Sequence, residues 1–162
     1  MSFFSRLFGQ RKPTIQCPRC LGKGHVDWND IKRLNQELRW GPGTCAYCNG
    51  KGKVAPDMVD KVAVDASYLT IDLSKAERQR VIDKDNEALE RGRMIDAQVN
   101  NAIHQIIYLH FTCNLEADKI ADFYLLTSAT ELHENGTYEK EKEELMDYVH
   151  RVIALKKNSN LN

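Results

Sequence analysis

Two short stretches of the chain carry a pair of cysteines followed by a pair of glycines. The first is CPRCLGKGH, residues 17–25, in which Cys17 and Cys20 precede Gly22 and Gly24. The pattern returns 28 residues later in CAYCNGKGK, as Cys45, Cys48, Gly50 and Gly52. A Cys-x-x-Cys turn presents two thiolates from one loop, and two such turns supply four sulfurs for a tetrahedral ion. The spacing therefore predicts one metal ion held by these four cysteines.

The repeated pattern favours zinc in a structural site. A single Cys-x-x-Cys pair would also fit a redox centre, but here the glycines are repeated together with the cysteines. Iron also accepts four sulfurs, yet the spacing of an iron–sulfur cluster motif is missing. Four cysteines leave no open position for water, so the ion should hold structure and not hydrolyse a substrate. Glycines after each pair let the backbone fold over the sulfurs.

The stretches CPRCLGKGHV and CAYCNGKGKV resemble the repeats of the cysteine-rich domain of DnaJ co-chaperones. The resemblance covers roughly residues 15–55, with two repeats only and without a J-domain. It implies small β-hairpins around zinc, with one ion ligated by Cys17, Cys20, Cys45 and Cys48. Zinc-finger-only proteins of the plant bundle-sheath-defective type carry this module without a J-domain. The resemblance therefore implies binding of unfolded or partner proteins, in a chaperone-like or assembly role.

A short helix is predicted between the two cysteine motifs. Ile31, Leu34 and Leu38 follow the candidate cap Asn29 at helical spacing, and the helix should end by Gly41. With the zinc-bound turns on either side, this helix is an insert in the metal module. The expected fold class is therefore mainly α, with a small zinc-bound β module at its start.

After the cysteine motifs the pattern changes from that of a strand to that of helices. Apolar and polar residues alternate from Leu69 to Leu73, which predicts a half-buried strand. Ser74 begins a capping-box pattern and opens a helix towards Gly92. Three more helical stretches follow, of which the one that begins after Asn114 extends towards Leu132. Short connections predict an antiparallel bundle. The expected regions are an amphipathic or disordered segment at 1–14, a zinc-finger module with a helical insert at 15–55, a linker with a strand at 56–73, a four-helix bundle at 74–157 and a disordered tail at 158–162.

Charge is distributed unevenly, although the net charge is zero. Residues 1–53 hold ten Lys and Arg against three Asp and Glu, whereas residues 54–162 hold thirteen against twenty. No apolar run reaches the roughly 18–20 residues of a membrane span, and the start lacks a secretory signal. We therefore expect a cytoplasmic protein. The aromatic and basic residues of segment 1–12 also predict weak contact with a membrane surface, as an alternative to a loosely ordered terminus.

Other reactive side chains have simpler interpretations. Cys113 and His110 lie three residues apart, but a buried cysteine that packs as a small apolar residue is the better interpretation. His104 has a similar interpretation, and His25 is not needed as a ligand beside four cysteines. The sequence contains no phosphate loop, dinucleotide fingerprint or nucleophile elbow. We therefore predict that the protein is not an enzyme.

Three kinds of contact remain open from the sequence. A protein-binding module would use Trp28, Trp40 and Tyr47 as contact surface for an unfolded or partner protein. A nucleic-acid-binding zinc ribbon is the alternative, because basic residues crowd the metal module and tryptophans stack on bases. These basic residues are Arg19, Lys23, Lys32, Arg33, Arg39, Lys51 and Lys53. Alternatively, the basic part of the chain docks on the acidic helices.

Overall fold

The computed structural model describes residues 12–126 and 128–159. The predicted terminal segments therefore fall largely outside it, at residues 1–11 and 160–162. The chain forms two compact units, of which the first ends at Asp96 and the second begins at Ala97. The described part is mainly helical, with four two-residue strands.

The first unit contains all four strands and most of the short helices. Its elements are β1 (Ile15–Gln16), β2 (His25–Val26), α1 (Trp28–Arg33), β3 (Gly43–Thr44), β4 (Lys53–Val54), α2 (Met58–Lys61), α3 (Lys75–Ile82) and the start of α4 (Asn86–Phe111). The short strands carry few backbone hydrogen bonds of their own, so other contacts must hold this unit together.

Each strand pair joins one cysteine repeat to the other. β1 pairs antiparallel with β4, where Ile15 faces Val54, and β2 pairs antiparallel with β3, where His25 faces Thr44. In the 28-residue repeat, β1 of the first copy corresponds to β3 of the second, and β2 corresponds to β4. The β1–β4 pair is therefore equivalent to the β2–β3 pair. The sequence repeat is therefore expressed as an approximate twofold arrangement of backbone.

Helix α1 begins earlier than the sequence suggested. Asp27, not Asn29, is the N-cap, because its carboxylate accepts the backbone N–H groups of Asn29 and Asp30. The Asp30 carboxylate in turn accepts the N–H of Asp27, which completes a capping box. The helix ends at Arg33 and not near Gly41, since Leu34 already leaves the helical conformation.

The strand predicted from Leu69 to Leu73 does not form. The segment has no strand partner, and the carbonyl oxygens of Leu69 and Leu73 instead accept hydrogen bonds from Arg19 and Arg78. The Leu69 side chain is fully buried, as the pattern predicted, although the segment does not belong to a sheet. The alternating pattern predicted burial correctly at Leu69 but not at Ile71, which is exposed, and it could not distinguish a strand neighbour from side-chain donors.

Helix α3 begins as predicted and ends early. The Ser74 hydroxyl accepts the Glu77 N–H, which confirms Ser74 as its cap. The helix stops at Ile82, well before Gly92, because Lys84 adopts a left-handed backbone with φ of 60°. The buried residues of α3 lie in the same core as the cysteines, so α3 belongs to the first unit.

Arg78 is a buried charged residue of α3, and its hydrogen bonds join α3 to two other parts of the first unit. Its Nε donates to Asn49 Oδ1 at 2.8 Å, and its Nη1 donates to the carbonyl oxygens of Ile71 and Leu73. The Arg78 side chain is almost fully buried, and its bonds to these acceptors are partly buried. Arg78 therefore fixes α3 to the second cysteine turn and to the segment before α3.

Arg78→Met is expected to lower the free energy of unfolding of the first unit by about 2 kcal/mol, because it leaves three partly buried acceptors without a donor. Chemical denaturation followed by segment-resolved hydrogen exchange measures this loss. Arg93→Met is the matched control, since the Arg93 side chain is 69% exposed and its ion pair with Glu90 is also exposed. The control should change stability by less than about 0.5 kcal/mol. Equal effects of the two substitutions would contradict this role of Arg78.

The second unit is built from helices. It contains the end of α4 with α5 (Ala117–Leu125), α6 (Ala129–Glu134) and α7 (Tyr138–Ser159), and α5 packs mainly on α7. The single helix expected up to Leu132 is therefore two helices, α5 and α6. The buried residues of this unit are Ile106, Ala117, Ile120, Ala121, Val149, Val152 and Ile153. Among the described helices, none has the length and apolar character required to cross a bilayer.

Candidate metal centre

The two Cys-x-x-Cys turns have the same backbone conformation. In the first turn the Gly22 N–H donates to the Cys17 carbonyl, and the Lys23 N–H donates to the Cys20 carbonyl. The second turn repeats both bonds, from Gly50 to Cys45 and from Lys51 to Cys48. Left-handed backbone occurs at matching positions, at Leu21, Gly22 and Gly24 and again at Asn49, Gly50 and Gly52. Each turn therefore presents its two sulfurs in the same way.

The four cysteine sulfurs meet in one buried cluster. All four Sγ atoms of Cys17, Cys20, Cys45 and Cys48 lie within 4.8 Å of one another. The Sγ atoms of Cys17 and Cys45 are 3.9 Å apart, and those of Cys20 and Cys48 are 3.8 Å apart. Sulfurs 2.3 Å from a tetrahedral zinc ion stand about 3.8 Å apart, whereas a disulfide requires about 2.05 Å. The cluster can therefore hold a metal ion, and its spacing is that of ligands and not of cystines.

Backbone N–H groups point at two of the sulfurs. The Gly24 N–H donates to Cys20 Sγ at 3.3 Å, and the Gly52 N–H donates to Cys48 Sγ at 3.2 Å. Such bonds stabilise negative charge on a thiolate and fix the direction of its lone pairs. The second glycine of each repeat thus orients a ligand, as the sequence pattern suggested.

The cysteines of the cluster influence one another's protonation. A hydrogen bond from the Cys45 thiol lowers the pKa of Cys17 to about 5, and the same hydrogen bond raises the pKa of Cys45. Burial raises the pKa of Cys20. Without a metal ion, the sulfurs are therefore joined by S–H hydrogen bonds, and only some of them are thiolates. A divalent ion replaces those protons and allows all four sulfurs to be thiolates.

Two glycines allow the turns to approach closely enough to close the cluster. The Cys17 N–H donates to the Gly52 carbonyl at 2.9 Å, and the Cys45 N–H donates to the Gly24 carbonyl at 3.0 Å. A Cβ on Gly52 would lie 2.2 Å from the Gly22 carbonyl oxygen, and one on Gly24 would lie 2.5 Å from the Gly50 carbonyl oxygen. Any side chain at these positions would push the two repeats apart.

The other reactive residues lie outside the cluster. Cys113 is exposed, so the expectation that it packs as a buried apolar residue is wrong; it follows the last turn of α4, where the chain leaves the helix. The His25 ring contacts the Lys23 carbonyl, and the His110 ring contacts the Leu115 carbonyl. His104 is exposed. In the described part of the chain, no other group of His, Cys, Asp or Glu could hold a metal ion.

The aromatic residues of the metal module are mostly unavailable to a partner. Tyr47 is 2% exposed and Trp40 is 7% exposed, so the expectation that they form contact surface is wrong. Both rings pack against the buried Arg19, whose Cζ lies 4.2 Å from the Trp40 ring centroid and 5.1 Å from the Tyr47 ring centroid. Trp28, at 43% exposed, remains accessible.

Several basic residues of the module are also engaged within it. Arg19 is buried, and Arg33 donates to the Pro18 and Arg19 carbonyls. Lys23 pairs with Asp30, and Arg39 pairs with Asp96. Lys23 and Arg33 are nevertheless exposed, as are Lys32, Lys51 and Lys53. Four of the seven basic residues are therefore engaged in bonds within the first unit, although only Arg19 is buried.

Residues inside the cysteine turns have roles that sequence reasoning missed. Arg19 and Tyr47 occupy the third position of the two Cys-x-x-Cys turns, and both point into the core. Asn49, which follows the second turn, accepts from Arg78. The signal available in the sequence was the 28-residue repeat, which places a long hydrogen-bond donor at the same position twice.

No family model, curated protein or solved structure matched the chain in the comparisons made with known proteins. What the site can do must therefore be argued from its own geometry. Four buried sulfurs with oriented N–H groups make a closed site, because every coordination position of a tetrahedral ion is taken by the protein.

Proposed function

We propose that the chain is a non-enzymatic zinc-binding protein in which one structural Zn²⁺ is held by Cys17, Cys20, Cys45 and Cys48. The observation that carries this proposal is the buried sulfur cluster, whose 3.8 Å and 3.9 Å contacts match tetrahedral sulfur ligation. Zinc accepts four thiolates without a preferred d-electron geometry and without redox chemistry. A closed shell gives the ion a structural role, since no position is left for a reacting water.

The fold proposed for the module is that of the DnaJ-type cysteine-rich domain, with zinc-finger hairpins closed around one ion. The support is the repeat resemblance and the twofold pairing of β1 with β4 and of β2 with β3. For the helices of the second unit we propose an antiparallel bundle, supported by the packing of α5 on α7.

We further propose that the protein binds unfolded or partner proteins in a chaperone-like or assembly role. The support is the repeat resemblance, together with large apolar side chains of the first unit that are accessible to a partner. They include Ile15, Leu21, Trp28, Val59 and Ile71. The nucleic-acid alternative has less support, because much of the basic charge is engaged within the module.

An aggregation assay tests the binding role. The zinc-loaded protein at equimolar ratio is expected to slow the aggregation of a chemically unfolded substrate. Trp28→Ser with Leu21→Ser should reduce this effect severalfold, since both side chains are exposed and their loss removes contact area. Lys32→Ser with Lys53→Ser is the matched control at exposed polar positions. No suppression by the zinc-loaded protein would contradict the role, and loss only in the lysine control would favour a charged ligand.

A further inference from the structure

Residues 56–73, which we call the strap, lie against the cysteine core without forming a sheet. Four apolar residues of the strap are buried in the same cluster as the four cysteines. They are Met58, Val62, Ala66 and Leu69. Apart from α2, the strap has no regular secondary structure, so its backbone carbonyl groups need donors from elsewhere.

Arg19 supplies three of these donors from inside the first cysteine turn. Its Nε donates to the Val64 carbonyl at 2.8 Å, its Nη1 to the Leu69 carbonyl at 2.7 Å and its Nη2 to the Ala66 carbonyl at 3.0 Å. Burial lowers the pKa of Arg19 to about 10, so the guanidinium stays charged at neutral pH. The buried Arg19 guanidinium therefore holds three carbonyl groups of the strap in place.

Tyr47 does the same from inside the second cysteine turn. Its hydroxyl donates to the Val62 carbonyl at 2.7 Å and lies 3.2 Å from the Met58 carbonyl oxygen. The ring packs against the Arg19 guanidinium, so the two donors support each other. Additional bonds come from the loop between the repeats, where the Trp40 indole donates to the Ser67 carbonyl and the Gln36 amide donates to the Asp65 carbonyl.

The position of these donors links the strap to the metal site. Arg19 lies between Cys17 and Cys20 in the sequence, and Tyr47 lies between Cys45 and Cys48. The turns that present the sulfurs therefore also set the positions of these two side chains. A metal ion that closes the turns fixes both donors in their places. Without the ion no metal–sulfur bonds join the four sulfurs, so the turns, and with them the side chains of Arg19 and Tyr47, are less well ordered.

We propose that metal binding and docking of the strap are one coupled event, with Arg19 and Tyr47 as the coupling residues. This inference rests on the proposed zinc site. By thermodynamic linkage, a strap that docks only on the closed turns must raise metal affinity by the same factor by which the metal favours docking. The strap also covers the cysteine core, so its docking slows loss of the ion. Metal loss releases the strap and uncovers Met58, Val62, Ala66 and Leu69 as apolar surface.

The first measurement is hydrogen exchange of the full chain with and without a zinc chelator. Chelation is expected to remove the protection of amides in the strap together with that of the cysteine turns, and to increase the fluorescence of a hydrophobic dye. Residues 117–159 should keep their protection, since they belong to the second unit. Protection of the strap that is unchanged after the metal has left would overturn the inference.

The second measurement is zinc affinity, by competition with a chromophoric chelator. Tyr47→Phe keeps the buried ring and every sulfur, yet it is expected to weaken zinc binding about tenfold and to speed zinc release, because the hydroxyl's bonds to the strap are lost. The strap of this variant should exchange faster even with zinc bound. Arg19→Lys keeps the positive charge but cannot reproduce the three hydrogen bonds to the strap, and it should also weaken zinc binding.

Ser74→Ala is the matched control for a merely structural effect. It removes the cap of α3 and so destabilises the first unit, without touching the cysteine turns or the strap contacts. Because zinc binding and folding of the first unit are linked, Ser74→Ala should weaken zinc binding only by the factor that its own loss of stability predicts, and it should leave the strap protected from exchange while zinc is bound. If Tyr47→Phe also binds and releases zinc like the wild type, the coupling is wrong although the zinc site stands. If the wild type itself binds no metal, the proposed function fails first.

Discussion

Replacing Cys45 and Cys48 together by serine is expected to abolish metal binding and to unfold the first unit. The two substitutions remove half of the ligands, and serine hydroxyls are not thiolates at neutral pH. Structural zinc contributes apparent free energies of about 10–16 kcal/mol, which equals or exceeds the whole stability of a typical domain. Four two-residue strands could not replace that contribution. Hydrogen exchange should show residues 12–73 exposed, and metal analysis should find no bound ion.

Cys113→Ser is the control for this double substitution. Cys113 is exposed and lies outside the sulfur cluster, so its replacement should leave metal content and exchange protection unchanged. In the double variant, amides of α5 and α7 should stay protected, because their buried residues pack within the second unit. A double variant that keeps a protected first unit would contradict a metal-dependent fold.

Gly52→Ala is expected to be the most damaging single substitution outside the cysteines. Gly52 has a φ of 71°, where a residue with Cβ costs about 1–3 kcal/mol. The added Cβ would also lie 2.2 Å from the Gly22 carbonyl oxygen, so one repeat must move away from the other. That movement lengthens the Gly52 N–H contact to Cys48 Sγ. We expect the variant to lose more than about 3 kcal/mol of unfolding free energy and to bind zinc at least tenfold more weakly.

Gly41→Ala provides the control, because a Cβ at Gly41 meets nothing within 4 Å and its backbone needs no left-handed conformation. It should change stability by less than about 1 kcal/mol. Chemical denaturation and chelator competition compare the two variants directly. Equal losses in both would show that glycine flexibility in general, and not close approach of the repeats, explains the effect.

The metal cluster could be predicted from the sequence because its chemistry is local. Cysteine pairs and glycine pairs at fixed spacing carry ligand identity and backbone freedom in the residue types themselves. The structure brings Cys17, Cys20, Cys45 and Cys48 together. The 28-residue repeat also contained the twofold pairing of the strands, since equivalent segments of a repeat tend to make equivalent contacts.

The strap could not be predicted from local patterning. The alternation from Leu69 to Leu73 suggested inward side chains, of which Leu69 is buried and Ile71 is exposed, and it is the same whether backbone partners come from a strand or from arginines. Arg19 was assigned to a basic surface because charge alone does not reveal burial; its partners, the carbonyl groups of Val64 and Leu69, lie 45 and 50 residues away. Such long-range pairs leave no periodic signal.

Helix ends were predicted where a side chain marks them and missed where only the backbone does. Ser74 caps α3 by the expected hydrogen bond. The break at Lys84 has no such marker, because lysine gives no sign of a left-handed backbone. The restart of the chain in α4 is supported by Asp85, whose carboxylate accepts the Ala88 N–H. An Asp three residues before a helical N–H was the available signal.

The central claim, one metal ion on four cysteines, is tested most directly by counting accessible thiols with and without a chelator. Freshly purified, reduced protein is alkylated under native conditions and weighed by mass spectrometry, beside elemental analysis of bound metal. The account predicts one zinc ion per chain and one rapid alkylation, at the exposed Cys113. After chelation all five cysteines should be alkylated. Protein that carries no metal, or whose Cys17, Cys20, Cys45 and Cys48 are joined as cystines, would contradict it.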